Sequence, residues 1–229
     1  MTYAVLLSGG IGTRTGLDIP KQFFKINNKP LLVYSIDKFI PVKEFKKIVV
    51  SSPKEYIEKT TELVNSFFPN DDRIVVIEGG KTRQDTLMNS VNYIKSIDDS
   101  NPIVINHDAA RIFVSTEHIR ECIKWTNEYG AASPMIPSTD VIVEMKNNSV
   151  SNMPNRYDLV HIQTPQGFKL NEYIDLFNDL TEDEVERVHE IVSVYFMKNK
   201  DIYLFDGEKS NFKVTDITDI ELAKFILTK

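Results

Sequence analysis

Tyr3-Ala4-Val5-Leu6-Leu7-Ser8-Gly9-Gly10-Ile11-Gly12-Thr13-Arg14 is the stretch that decides the fold. Its first part is apolar at successive positions, as a strand covered on both faces must be. It then runs directly into glycines. A loop that wraps phosphate needs them, because backbone N–H groups must approach the anion without a Cβ in the way. The spacing is not that of a Walker A loop, since no Gly-Lys-Ser/Thr follows. A dinucleotide fingerprint wants an acidic residue at the end of the second strand, and that strand ends in Val50-Ser51-Ser52-Pro53. Instead the loop carries Arg14, and Pro20-Lys21-Gln22 comes shortly after. Two cations beside a phosphate loop suit a triphosphate.

Outward from this loop, Ile48–Val50, Ile74–Ile77 and Ile103–Ile105 repeat the short β-branched pattern. Helical patterns lie between them. Tyr56, Thr60, Leu63 and Phe67 share one face of one helix, and Leu87, Val91 and Ile94 share one face of the next. Thr82 and Asp85 have capping-box spacing. A further helix is expected over Thr116–Tyr129, with Ser115 as its cap. The alternation predicts an α/β fold, a Rossmann-like and mostly parallel sheet with helices on both faces. After Ala131 the pattern changes. Residues 139–163 are polar and broken, and Val141-Ile142-Val143 before a turn reads as a β-hairpin arm. An arm too small for its own core is expected to pack on a second copy of the chain. Helices near Asn171–Asn178 and over Glu182–Met197 follow, then a strand at Ile202–Phe205 and a helix over Asp216–Leu227. One domain, residues 1–229, is expected.

With 229 residues, 41% hydrophobic and 26% charged, the chain can bury a core without disulfide or structural metal. Cys122 is the single cysteine and sits in an amphipathic stretch, so it reads as packed. The net charge of −6 argues against broad nucleic-acid binding. The N-terminus has no basic start and no small-residue cleavage site, and no stretch has the length of a membrane span. A soluble cytoplasmic protein is expected.

Asp108 follows a strand, at the edge where open α/β sheets bind ligands. A lone carboxylate there suits one Mg²⁺ shared with phosphates. Gly79-Gly80-Lys81-Thr82-Arg83-Gln84-Asp85-Thr86, His107-Asp108-Ala109-Ala110-Arg111, Gln163-Thr164-Pro165-Gln166 and Asn211-Phe212-Lys213-Val214-Thr215 complete, with the Gly-rich loop, five motifs in order. Over essentially its whole length the chain thereby resembles the cytidylyltransferases related to 2-C-methyl-D-erythritol 4-phosphate cytidylyltransferase and ribitol-5-phosphate cytidylyltransferase. Ser51–Glu55 and Asp71–Gly80 look nearer to the ribitol-phosphate branch.

The resemblance implies that Leu7, Ser8, Gly9, Gly10, Gly12, Thr13, Gly80, Arg83, Thr86, Asp108 and Ala109 bind CTP. Arg14, Lys21 and Lys213 would be catalytic: Arg14 on the departing β- and γ-phosphates, Lys21 on the α-phosphate, Lys213 on the crowded α-phosphorus. Arg111, Asp140 and Arg156 would bind the acceptor, Arg156 reaching from one subunit's arm into the other's site of a homodimer. The sequence departs from the family where Val141, Ile112 and Val188-His189 replace an arm threonine, a proline and a Thr-Asp pair. These changes cluster in the acceptor half and favour a polyol phosphate such as ribitol 5-phosphate or a glycerol phosphate, giving a CDP-polyol for teichoic acid or capsule synthesis. The alternatives are the methylerythritol phosphate enzyme of isoprenoid synthesis and a catalytically silent nucleotide-binding module. A UTP-dependent transferase would lack the segment Gly79–Thr86.

Overall fold

Tyr3 and Val5 face one helix layer while Ala4 and Leu6 face the other, and all four are fully buried. Both faces of the first strand are therefore core, so its sequence shows no polar alternation. In the computed structural model, residues 1–10 and 19–228 are described. The first half runs β1 (Thr2–Leu7), β2 (Lys25–Ile26), β3 (Lys29–Pro30), α1 (Leu31–Phe39), β4 (Phe45–Ser52), α2 (Ile57–Phe67), β5 (Ile74–Glu78), α3 (Arg83–Ile97), β6 (Ile103–Asp108) and α4 (Thr116–Tyr129). The second half runs β7 (Ala131–Pro137), β8 (Glu144–Lys146), β9 (Ser149–Asn152), β10 (Val160–Ile162), β11 (Gln166–Lys169), α5 (Leu170–Asn178), α6 (Glu182–Glu186), α7 (Ile191–Met197), β12 (Tyr203–Asp206) and α8 (Ile217–Leu227).

The main sheet has the order β10-β7-β11-β6-β1-β4-β5, with β12 beside β7. Pairs β1–β4, β1–β6, β4–β5 and β7–β12 are parallel, and β11 and β10 pair antiparallel with their neighbours. From β1 the chain first builds outward through β4 to β5, then crosses back to lay β6 on the other side. The carboxyl ends of β1 and β6 thus flank the point where the winding direction reverses, where open α/β sheets form their ligand crevice. Helices α1, α2 and α4 cover one face, and α3, α5 and α7 the other. Removing a side chain such as Leu6 from this packing costs about 2–5 kcal/mol. A smaller cluster of Ile26, Leu31, Ile112, Val214 and Ile220 docks α8 beside the sheet.

The α/β reading, the alternating elements through α4 and the caps at Thr82 and Ser115 match the structure. Four details differ. Helix α2 buries Thr60 and Val64 and leaves Phe67, its last residue, exposed, while Tyr56 belongs to a separate turn of 3₁₀ helix at Lys54–Tyr56. Ala131–Pro137 is a strand, although Ala-Ala-Ser-Pro carries no β-branched signal; its burial among β11, β12 and α4 creates it. The expected helix over Glu182–Met197 is two helices broken at Arg187–Glu190. Side chains of Gln84 and Arg83 take the Val188 and His189 carbonyls that a continuous helix would have used itself. Finally, Val141–Val143 is irregular, and the hairpin lies further on, in β8 and β9. Asn147 and Asn148 form its turn with φ of 51° and 60°, the left-handed pair a two-residue hairpin favours. Thr139 is likewise in irregular backbone. Cys122 is fully buried, and that burial pushes its thiol far above the ordinary range.

Candidate active site

Leu7 and Asp108 are register partners at the carboxyl ends of β1 and β6. Ser8, Gly9 and Gly10 lead out of β1 into a cleft that the start of α3 also lines, with Gly9 packed against the Thr86 side chain. That helix begins with a full capping box: the Thr82 hydroxyl accepts from the Asp85 N–H, and the Asp85 carboxylate accepts from the Thr82 N–H. The cap fixes an N-terminus whose positive dipole end favours phosphate. Gly80 cannot be replaced in this turn without moving it, because a Cβ there would lie 2.7 Å from the Asp85 carbonyl carbon and 2.9 Å from the Thr86 nitrogen. The Thr86 hydroxyl ties the same turn together, accepting from the Gly80 N–H at 3.0 Å and donating to the Thr82 carbonyl at 2.8 Å.

Asp108 sits at the floor with both carboxylate oxygens engaged. Lys213 Nζ is 2.6 Å from Oδ2, and Arg83 contacts Oδ1 through Nε at 3.2 Å and Nη2 at 3.1 Å. Burial alone would raise this carboxyl. The Arg83, Lys213 and Arg111 cations outweigh it and hold it well below the usual carboxylate range. Arg83 Nη2 also lies 2.7 Å from Glu190 Oε2. Burial, followed by the Asp108 charge, pushes the Glu190 carboxyl up against the pull of Arg83. Lys21 reaches the cleft from the chain's first segment and donates to the Val214 carbonyl at 3.0 Å.

Behind the floor, a chain of buried hydrogen bonds joins three motifs. The His107 Nε2 meets the Arg111 carbonyl at 3.0 Å, so it carries the proton. Nδ1 then accepts from the Thr164 hydroxyl at 3.0 Å, and that hydroxyl in turn accepts the Asp108 N–H at 3.1 Å. Burial pushes the imidazole down to about 4, which fits this neutral tautomer. The Asn211 amide donates to the Thr164 carbonyl at 2.7 Å, and Arg111 Nη1 donates to the Asn211 carbonyl at 2.8 Å.

The sequence-based site residues fall into three groups. Leu7, Ser8, Gly9, Gly10, Lys21, Gly80, Arg83, Thr86, Asp108, Ala109 and Lys213 line one cleft. Gly12, Thr13 and Arg14 lie outside the described residues. Arg111 packs just behind the cleft on Asn211, while Asp140 and Arg156 are exposed on the arm, Arg156 stacking on its own neighbour Tyr157 at 5.0 Å. Sequence reasoning missed Glu190, which a continuous helix would not have singled out. It also missed Gln22, whose amide donates to the Ser8 carbonyl at 2.9 Å and fixes the exit of β1.

Among the described residues no group of three or more His, Cys, Asp or Glu side chains converges. Among the described residues lining the cleft, Asp108 is the one carboxylate, which fits a divalent cation shared with substrate phosphates and does not fit a resident metal cage. No helix of the described residues is long and apolar enough to cross a membrane.

The profile of the family described as IspD, 2-C-methyl-D-erythritol 4-phosphate cytidylyltransferase, matches residues 2–229. The 2-C-methyl-D-erythritol 4-phosphate cytidylyltransferase of Francisella tularensis is 28% identical, with 98% of each chain covered and a TM-score of 0.79. The 4-diphosphocytidyl-2C-methyl-D-erythritol synthase of Anaerococcus prevotii is 21% identical, covering 100% of this chain and 98% of that one, with a TM-score of 0.83. The Thermus thermophilus enzyme is 22% identical, covering 99% and 98%, with a TM-score of 0.75. These last two likenesses speak to fold.

Proposed function

The chain belongs to the 2-C-methyl-D-erythritol 4-phosphate cytidylyltransferase family, and from that premise we propose that it transfers CMP from CTP to 2-C-methyl-D-erythritol 4-phosphate. The observation that carries the transfer chemistry is Asp108 at the sheet's reversal point, clasped by Arg83 and Lys213 and facing the Gly-rich loop and Lys21. The acceptor rests on the solved relatives, which carry methylerythritol names. They give no support to the ribitol-phosphate branch.

In this reading an oxygen of the acceptor phosphate attacks the α-phosphorus of CTP. The new P–O bond forms as the bond to the β-phosphate bridging oxygen breaks, and that oxygen leaves with its electron pair as pyrophosphate. The attacking group is already anionic, so no general base is required. Catalysis is positioning and charge stabilisation. Lys21 and Lys213 supply positive charge at the α-phosphate, the start of α3 supplies N–H donors, and Arg14 is assigned to the departing phosphates. A divalent cation such as Mg²⁺, held through Asp108, would neutralise phosphate charge.

A second reading, a polyol phosphate acceptor, is favoured by one set of observations. Val141 offers no hydrogen bond in the arm, and Ile112 and Val188 are buried, at three positions where the resemblance implies a threonine, a proline and the first residue of a Thr-Asp pair. The test is pyrophosphate release from each nucleoside triphosphate against methylerythritol phosphate, ribitol 5-phosphate and glycerol phosphates. Fastest release with CTP and methylerythritol phosphate is the expected result. Faster turnover of a polyol phosphate selects the second reading, and silence with every pair refutes transfer altogether.

The arm, a homodimer and a cytoplasmic setting belong to the same proposal. Val141, Met145, Val150 and Met153 are apolar and exposed on the arm, a surface suited to a second copy of the chain. Sedimentation velocity should show a dimer for the wild type and a monomer for the Met145→Asp, Val150→Asp variant.

A further inference from the structure

Asp108 has a difficulty that its neighbours create. Both of its oxygens are occupied by cationic donors, Arg83 on Oδ1 and Lys213 on Oδ2. Arg83 uses both lone pairs of Oδ1 and Lys213 one of Oδ2, so a divalent cation that takes Oδ1 must displace part of Arg83, and one that takes Oδ2 stands beside Lys213. Lys213 can move onto incoming phosphate. Arg83 has a different outlet. Its Nη2 lies 2.7 Å from Glu190 Oε2, closer than its 3.1 Å to Asp108 Oδ1. That Glu190 oxygen is buried and has no aligned hydrogen-bond donor, although the guanidinium is in contact. It therefore has unused accepting capacity, and a small rotation of Arg83 away from Asp108 would fill it.

The segment carrying Glu190 is fixed for this purpose. Gln84 donates to the Val188 carbonyl and Arg83 Nη1 to the His189 carbonyl at 3.3 Å. The Ile191 N–H donates to Gln166 Oε1 at 3.3 Å, and Val188 is buried in the core beside α5 and α7. The break between α6 and α7 thus holds a carboxylate against the arginine that blocks Asp108.

Resting on the CTP reading above, we propose that Glu190 is a positioning residue, a second counter-ion onto which Arg83 shifts when a divalent cation accompanying the triphosphate engages Asp108. Without Glu190, Arg83 has Asp108 as its remaining carboxylate among the described residues and competes with the cation for it.

The experiment measures binding without turnover. Calorimetry in the absence of acceptor gives the affinity for MgCTP and for CTP in EDTA, and the quantity of interest is their ratio. A merely structural lesion weakens both forms alike and leaves the ratio unchanged. Glu190→Gln should lower the preference for MgCTP roughly tenfold, the scale of a lost charge-assisted contact, and Glu190→Asp should retain most of it. In an Arg83→Gln background, Glu190→Gln should leave the ratio unchanged, because the competing cation is gone. A wild-type ratio that persists in Glu190→Gln overturns the inference and leaves the CTP reading standing. A ratio that falls equally in the Arg83→Gln background also overturns it. A wild type that binds neither form overturns the CTP reading and the inference with it, and one that binds both forms equally overturns the inference alone.

Discussion

Replacing Thr164 by valine removes one hydroxyl and breaks two hydrogen bonds. The side chain is 1% exposed. Its oxygen accepts the Asp108 N–H at 3.1 Å and its proton goes to His107 Nδ1 at 3.0 Å. Valine keeps the shape but leaves both partners buried and unpaired, at roughly 1–3 kcal/mol each. Better apolar contact of the new methyl offsets part of this, so a net loss of about 3 kcal/mol is expected. For a chain of this length that lowers Tm by roughly 6–12 °C. Activity should fall as well, because the lost bond holds the backbone N–H of Asp108. A displacement of about 1 Å there is enough to slow turnover on the order of 100-fold. Thr164→Ser keeps the hydroxyl and should return most of both properties. Thermal unfolding and single-turnover pyrophosphate release on the three proteins provide the measurement. A valine variant that melts within about 1 °C of wild type would refute the relay, as would a serine variant no better than valine.

Three further outcomes follow from other contacts. Lys213→Gln should lower turnover by roughly 10²–10³-fold with a smaller change in CTP affinity, read from kcat and KM in the pyrophosphate assay; equal losses in both would place Lys213 in ground-state binding. Gly80→Ala must push the first turn of α3 off the Asp85 and Thr86 backbone atoms that lie within 3 Å of the new carbon, so stability should fall by about 1–3 kcal/mol and CTP binding should weaken, measured by denaturant titration and calorimetry. Asp98 accepts from the Ser100 hydroxyl at 2.6 Å, the Tyr3 hydroxyl at 2.8 Å and the Ser100 N–H at 3.1 Å, which together hold its carboxyl well below the ordinary range. A carboxyl depressed in the folded state stabilises it fully above the unfolded value of about 3.9 and loses that effect as pH falls through the folded value. The stability difference between wild type and Asp98→Asn should therefore be flat from about pH 5 to 8 and shrink below about pH 4; a difference that stays constant down to about pH 2 contradicts the assignment.

The parts of the fold visible in the sequence were those where local chemistry and tertiary packing agree. The run from Tyr3 to Leu7 is apolar because both its faces are core, and Thr82 and Ser115 announce helix starts because their caps are made by their own neighbours. The residues that line the cleft were legible for the same reason, since they cluster in short motifs. The hidden parts are those a distant contact decides. Nothing local breaks the helix at Arg187–Glu190; the carbonyls there turn toward Arg83 and Gln84, more than a hundred positions away. Ala131–Pro137 becomes a strand through its neighbours, and Val141–Val143 stays irregular despite its β-branched residues, since no strand of the described residues pairs with it.

Lys21 holds the carbonyl of Val214 across a separation of 193 positions, and Lys213 holds Asp108 across 105. The cleft is thus a seam between early and late segments of the chain. A fragment lacking the Asn211–Thr215 stretch loses partners of Lys21, Asp108 and Thr164 together, so it has no weakened version of the site to use. Contacts this distant in sequence close late in folding, and the ability to hold the nucleotide therefore reports that the whole domain has formed. The coupling runs in the other direction too. A ligand at about 100 times its dissociation constant adds about 2.7 kcal/mol to global stability, and here it would do so by fastening the α8 cluster to the sheet, giving the protein most protection from unfolding and proteolysis when its nucleotide is abundant.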